Sequence, residues 1–285
     1  MIFAAASAGQ LPPAGEATVG GVRLPRGRLI TADPAFARTE PRASSVLWLA
    51  AQAPGKGIVS RLFDRAPKPD YSALAAVFPR TGLWPLLCDS LRGDSERPAV
   101  GERELDPACS SPPAAHDAAK VIADRWAEAM PSPDETDDEF LATLEPFGTR
   151  FPGLASAAAG PDNEGAVERT ARETNGRLGL VAVARPADAV AAIGWSGPVN
   201  HYEDVGLLAA VLRSWEDRFG AVVVGIGFDT LTLAVQRPVR DRLTAEALAA
   251  EHLAMCSDNI FQGAGGIREY ARTLLQAARW DFWWD

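Results

Sequence analysis

The last six residues, Trp280-Asp281-Phe282-Trp283-Trp284-Asp285, carry three of the eight tryptophans of the chain and a phenylalanine beside them. Each such ring removes about 150–250 Å² from water when it is buried, so a run like this is not expected to stay a frayed tail. It must dock on its own domain or on a partner. Its residues also alternate: in an extended strand Trp280, Phe282 and Trp284 fall on one side, and Asp281, Trp283 and Asp285 on the other. Period two predicts a core strand that leaves Trp283 partly exposed. The rival expectation is an aromatic docking patch for another protein.

The pattern leading up to this run is clear from Arg177 onward. Leu178 to Val183 is a short, continuous apolar run and reads as a buried strand. Asp204 is placed to cap a helix whose Leu208, Val211, Leu212, Trp215 and Phe219 share one face, and Gly220 to end it. Residues 221–227 and 231–235 read as two strands joined through Phe228-Asp229-Thr230, closed by Pro238. Thr244 is expected to cap the next helix, which runs to Cys256, and Ile267, Tyr270, Ala271, Leu274, Leu275 and Ala278 mark a further helical period. The order strand, helix, strand, strand, helices, strand predicts an α+β fold of the split βαβ, or ferredoxin-like, type.

Upstream, residues 46–50 and 82–88 read as strands, and Pro85 should push the second towards a sheet edge or a bulge. Asp117 to Met130 reads as a helix with Val121, Ile122 and Trp126 inward. Residues 131–139 are proline and acid without an apolar side chain, which predicts a solvated loop. The chain therefore divides into an N-terminal α/β region, 1–130, a linker with a short helix, 131–176, and a C-terminal domain, 177–285. Two apparent phosphate motifs fail on context. Gly225-Ile226-Gly227 is followed by a strand, and Pro54-Gly55-Lys56-Gly57 lacks the flanking residues of a phosphate loop.

A formal charge of -9 argues against nucleic acid or an anionic membrane surface as the partner, because both reward a basic face. No apolar run approaches the ~18 residues needed to span a membrane. The N-terminus lacks the basic residue of a secretory signal. Three widely spaced cysteines, Cys88, Cys109 and Cys256, make neither a disulfide framework nor a zinc motif. These readings predict a cytoplasmic protein with no metal and no cofactor.

Several segments together resemble the bacterial family called domain of unknown function 4253. They are Leu178 to Val183, Gly194 to Asn200, Leu212 to Gly220, Ala250-Glu251-His252, Cys256 to Ile260 and Phe282 to Asp285. Thr81 to Leu87 resembles the upstream segment of longer actinobacterial members. The resemblance implies no activity and no catalytic residue.

Two constellations could carry chemistry. Glu251, His252 and Asp258, with Cys256 and Asn259 nearby, supply an acid, a base and an orienting group on and just after one helix. The competing expectation is a core histidine and core cysteine, with Asp258 and Asn259 bonding the helix end. Trp195, Asn200 and Tyr202 set donors and acceptors beside an indole in a turn-rich loop, a mixture suited to binding. Asn259, Trp283 and Asp285 join them as candidate binding residues. The leading expectation is a non-catalytic protein-interaction module of the immunity or accessory type, partnered by another protein, with a homo-oligomer left open. An enzyme using Glu251, His252 and Asp258 on a small polar substrate, and a small-molecule sensor, are the alternatives.

Overall fold

The computed structural model describes residues 5–31, 44–51, 71–92, 94, 96–97, 104–132, 137–163 and 165–285. Within these, eight strands form one mixed sheet: β1 (Gly15–Val19), β2 (Val22–Thr31), β3 (Ser45–Ala50), β4 (Leu83–Cys88), β5 (Arg177–Ala182), β6 (Ala221–Ile226), β7 (Thr230–Val235) and β8 (Arg279–Trp283). Their order is β1-β2-β3-β5-β4-β6-β7-β8, and all neighbours are antiparallel except β4 and β6. The fold is α+β, but its strand order departs from the split βαβ arrangement. β5 runs antiparallel to β6 with β4 between them, and β6, β7 and β8 form a meander. The element order along the chain could not reveal this, because the intervening strand comes from residues 83–88. The sheet thus runs across the boundaries read from composition at 130 and 176.

Pro85 lies in the middle of this sheet rather than at an edge. It offers no N–H to β6, and the ladder between β4 and β6 pairs only Leu87 with Gly225 and Cys88 with Ile226. The Trp84 indole fills the gap by donating from Nε1 to the Val223 carbonyl at 2.7 Å. A side chain supplies the hydrogen bond that the imide cannot.

Helices cover both faces: α1 (Tyr71–Thr81) and α4 (Gly165–Glu173) on one, and α2 (Ala118–Ala129), α6 (Val205–Phe219), α7 (Arg242–Met255) and α8 (Ile267–Leu274) on the other, with the short α3 (Asp138–Thr143) and α5 (Ala189–Ile193) between. Asp204 caps α6 through Gly206 N, and Gly220, at φ +60°, ends it in the left-handed conformation that favours glycine. α7 starts at Arg242, two residues before Thr244, because the cap is Asp241, whose carboxylate accepts from Thr244 N. α8 stops at Leu274, so Leu275 and Ala278 lie past its end. The acidic loop closes as a helix start, with Asp137 capping α3 and Asp138 and Glu139 in its first turn, where the helix dipole favours negative charge. Residues 54–57 and 133–136 lie outside the described residues. No helix among the described residues is long and apolar enough to cross a membrane.

Candidate functional site

Glu251 and His252 project from α7 into the layer between helices and sheet, and neither side chain reaches solvent. The Glu251 carboxylate accepts from Arg218 Nη1 and Nη2 at 2.8 and 2.6 Å, Trp215 Nε1 at 2.8 Å and Ala155 N at 2.7 Å. Four donors satisfy it fully, which is the condition for burying a carboxylate. His252 sits in an aromatic cage, with ring centroids 4.7 Å from Trp215, 4.8 Å from Trp280 and 4.8 Å from Phe282. Burial, reinforced by the Arg218 charge, holds its pKa down at about 3. Asn259 Nδ2 donates to Tyr270 Oη at 3.1 Å, which leaves the phenol proton for His252 Nδ1, also at 3.1 Å. That direction places the imidazole proton on Nε2, which is buried with no oxygen or nitrogen partner. A neutral ring with one nitrogen bonded and the other enclosed is built to pack. It is poorly placed to exchange protons with a substrate.

The residues after α7 fasten the aromatic strand. Trp280, Phe282 and Trp284 bury against α6 and α7, while Asp281 and Asp285 are exposed and Trp283 is half-buried, as the period-two reading predicts. Val235 N bonds Ala278 O, and Trp284 N bonds Asp229 O, so even-numbered residues turn their backbone towards β7. The odd-numbered residues turn theirs to the open edge, where unpaired groups would invite a foreign strand. Three side chains take up that edge. Asn259 Nδ2 donates to Asp281 O at 2.7 Å and its Oδ1 accepts from Trp283 N at 3.3 Å. Cys256 Sγ donates to Trp283 O at 3.0 Å, and Asp258 Oδ2 accepts from Asp285 N at 3.0 Å. The Asn259 amide thereby bonds the strand as a peptide group of a ninth strand would. Burial pushes the Cys256 thiol up to about 12, so it remains the protonated donor this arrangement needs. The competing reading expects Asp258 and Asn259 to bond the helix end, but the backbone groups their side chains take up belong to residues 281, 283 and 285.

The loop from Trp195 to Tyr202 abuts the same corner. Trp195 is buried, donates from Nε1 to Gly227 O at 2.9 Å and meets Trp284 edge-on at 5.6 Å. Tyr202 is buried, with Oη 3.5 Å from Met255 O, and burial raises its pKa. His201 Nε2 approaches Asp258 Oδ2 at 3.1 Å, close enough for an ion pair but outside hydrogen-bond geometry. Asn200 points to solvent. The structure thus brings Trp195, Tyr202, Asp258 and Asn259 together as packing and fastening groups, and leaves Asn200 apart.

A cleft of about 410 Å³ opens on the other face of the sheet, where α4 ends before reaching β8. Its floor is Gly225 and Thr232, which pair across β6 and β7. Trp283 forms a wall, with Thr174, Asn175 and Asp89 on the rim. Asp281 is held from both sides: Thr232 Oγ1 donates to its Oδ1 at 2.8 Å, and Arg279 clamps it at 2.7 and 2.8 Å. Gly225 is required here, since a Cβ would stand 2.7 Å from Thr174 Cγ2. Of the cleft residues, sequence reasoning selected Trp283 alone. The alternation that exposes Trp283 also places Arg279 and Asp281 on its face, and the two glycines at 225 and 227 are small for strand positions; those signals were available. Among the described residues, no group of three or more His, Cys, Asp or Glu is placed to hold a metal ion.

Comparison with curated proteins and with solved structures finds no match. Residues 177–285, which contain β5 to β8, α6 to α8 and the fastening side chains, match the family model described as Domain of unknown function (DUF4253).

Proposed function

We propose that this protein is a non-catalytic binding module that recognises another protein through the cleft above β6, β7 and β8, with Trp283 as its anchor. The observation that carries the reading is the half-buried indole of Trp283. Its backbone N and O are consumed by Asn259 and Cys256, while its ring lines the cleft. A rigidly held aromatic beside polar groups is the usual form of an interface hot spot. Glu251, His252 and Asp258, the residues an acid/base enzyme would use, are each occupied in the fold, which favours binding over turnover. The same reading describes a bacterial, cytoplasmic protein of the immunity or accessory type. Free thiols at Cys88, Cys109 and Cys256 support a reducing compartment.

The test is affinity purification of the full chain beside Trp283→Ala, which removes the ring and keeps the backbone bonds. A stoichiometric partner lost in the variant, with unfolding unchanged, is the expected result. Equal capture by both proteins sinks the reading. The sensor alternative has one observation in its favour, because the cleft lies within the roughly 300–1,000 Å³ of small-molecule sites. Under it, a metabolite stabilises the purified protein alone, and Trp283→Ala abolishes that stabilisation.

A further inference from the structure

A second concavity, of about 200 Å³, lies between α7 and α8, away from the cleft. α7 contributes Arg242, Ala245 and Glu246, spaced i, i+3 and i+4; α8 and the residue after it contribute Arg268, Ala271, Arg272 and Leu275, spaced i, i+3, i+4 and i+7. Each helix therefore turns one stripe into the groove. Ala245 and Ala271 make the floor, and the shortness of their side chains leaves the space open. Three guanidiniums against one carboxylate give the lining two positive charges, in a chain whose formal charge is -9.

These arginines have partners, but exchangeable ones. Arg242 Nε bonds Glu246 at 2.7 Å, Arg268 Nη2 meets Glu145 at 2.9 Å, and Arg272 Nη1 reaches Glu269 at 3.3 Å. The Arg268 and Arg272 pairs are exposed on both sides, and pairs of that kind contribute little to stability. A guanidinium has five N–H donors, so each arginine keeps several free for a ligand. Arg268 Nε is shielded from solvent and has no acceptor, the kind of orphaned donor that a bound oxyanion would satisfy.

The geometry points to a binding site for a phosphate-class dianion in the groove between α7 and α8. Guanidinium forks match phosphate oxygens in pairs. A ligand that displaces Glu145 and Glu269 from Arg268 and Arg272 needs two negative charges to balance the lining, which a single carboxylate does not supply. The volume suits an oxyanion or a phosphomonoester head group and is too small for a drug-sized ligand. This site is independent of the Trp283 cleft and stands or falls separately.

The experiment is calorimetric titration of the full chain with inorganic phosphate, methyl phosphate and acetate at constant ionic strength, repeated on Arg242→Gln/Arg272→Gln. Both replaced side chains are more than two-thirds exposed, so the fold is retained, and urea unfolding of the variant checks it. Saturable phosphate binding that weakens by about a hundredfold in the variant, with acetate far weaker, is the expected result. Equal affinity for methyl phosphate then assigns the natural ligand to the phosphomonoesters, and preference for inorganic phosphate assigns it to the free ion. No saturable heat from the wild type, or binding unchanged in the variant, overturns the site.

Discussion

Two buried titratable groups should oppose one another in the pH dependence of stability, and replacing either one exposes the other. The His252 pKa falls from its ordinary 6.5 to about 3 on folding. Between those values the unfolded chain binds more protons at this residue than the folded one, so His252 makes stability rise with pH. Glu216 behaves in the opposite sense. Its carboxyl, 2% exposed and facing Arg185 and Ala187 N, is pushed from 4.5 up to about 7, chiefly by burial. The folded chain then holds the extra proton, and stability falls as pH rises through that window. At about 1.4 kcal/mol per unit of pH inside each window, and less at the ends, each group contributes about 2 kcal/mol between pH 4.5 and pH 6.5, with opposite signs. The wild type should therefore change little over this range on their account. In His252→Phe, which keeps an aromatic ring in the cage, stability should fall by about 2 kcal/mol from pH 4.5 to pH 6.5 relative to the wild type. Glu216→Gln should rise by a similar amount. The lost Tyr270 bond in His252→Phe costs about 1 kcal/mol at every pH, so it shifts the curve without tilting it. Urea unfolding at both pH values measures each difference. Parallel wild-type and His252→Phe profiles would show that the imidazole titrates in the folded protein, and would refute the enclosure argued above.

Asn259→Ala removes the side chain that imitates a ninth strand. With bonds to Asp281 O, Trp283 N and Tyr270 Oη lost, the expected cost is about 2–4 kcal/mol. Hydrogen exchange should accelerate selectively at the Trp283 amide, and unchanged protection there would count against the latch. Glu251→Ala leaves Arg218 partly buried without its partner and strands the Trp215 and Ala155 donors, so unfolding should occur about 3–5 kcal/mol more easily. A cost near zero in urea titration would mean that the pair is open to solvent.

Local elements were legible wherever the side-chain pattern carries its own chemistry. Asp204 and Gly220 bound α6 because a cap needs a carboxylate and a left-handed terminus needs glycine. The alternation of Trp280, Phe282 and Trp284 predicts β8 and its buried face because strand side chains alternate by geometry alone. The signal fails where the outcome depends on a distant segment. Pro85 signals a sheet edge, yet the Trp84 indole makes a central position tolerable through a bond to a residue 139 positions away. The grouping of Glu251, His252 and Asp258 suits acid/base chemistry as well as it suits a core histidine. Only the cage of Trp215, Trp280 and Phe282 decides between them.

What the sequence by itself determined is the four strands and three longer helices of the last 109 residues, and the side of the final strand that is buried, because helix and strand periods are properties of neighbouring residues. The tertiary structure alone decided that β4 inserts between β5 and β6, that Cys256, Asp258 and Asn259 complete the edge of β8, and that the open cleft lies behind Trp283. Those outcomes rest on hydrogen bonds and contacts between segments far apart in the chain. No local period encodes which backbone group a distant side chain will meet.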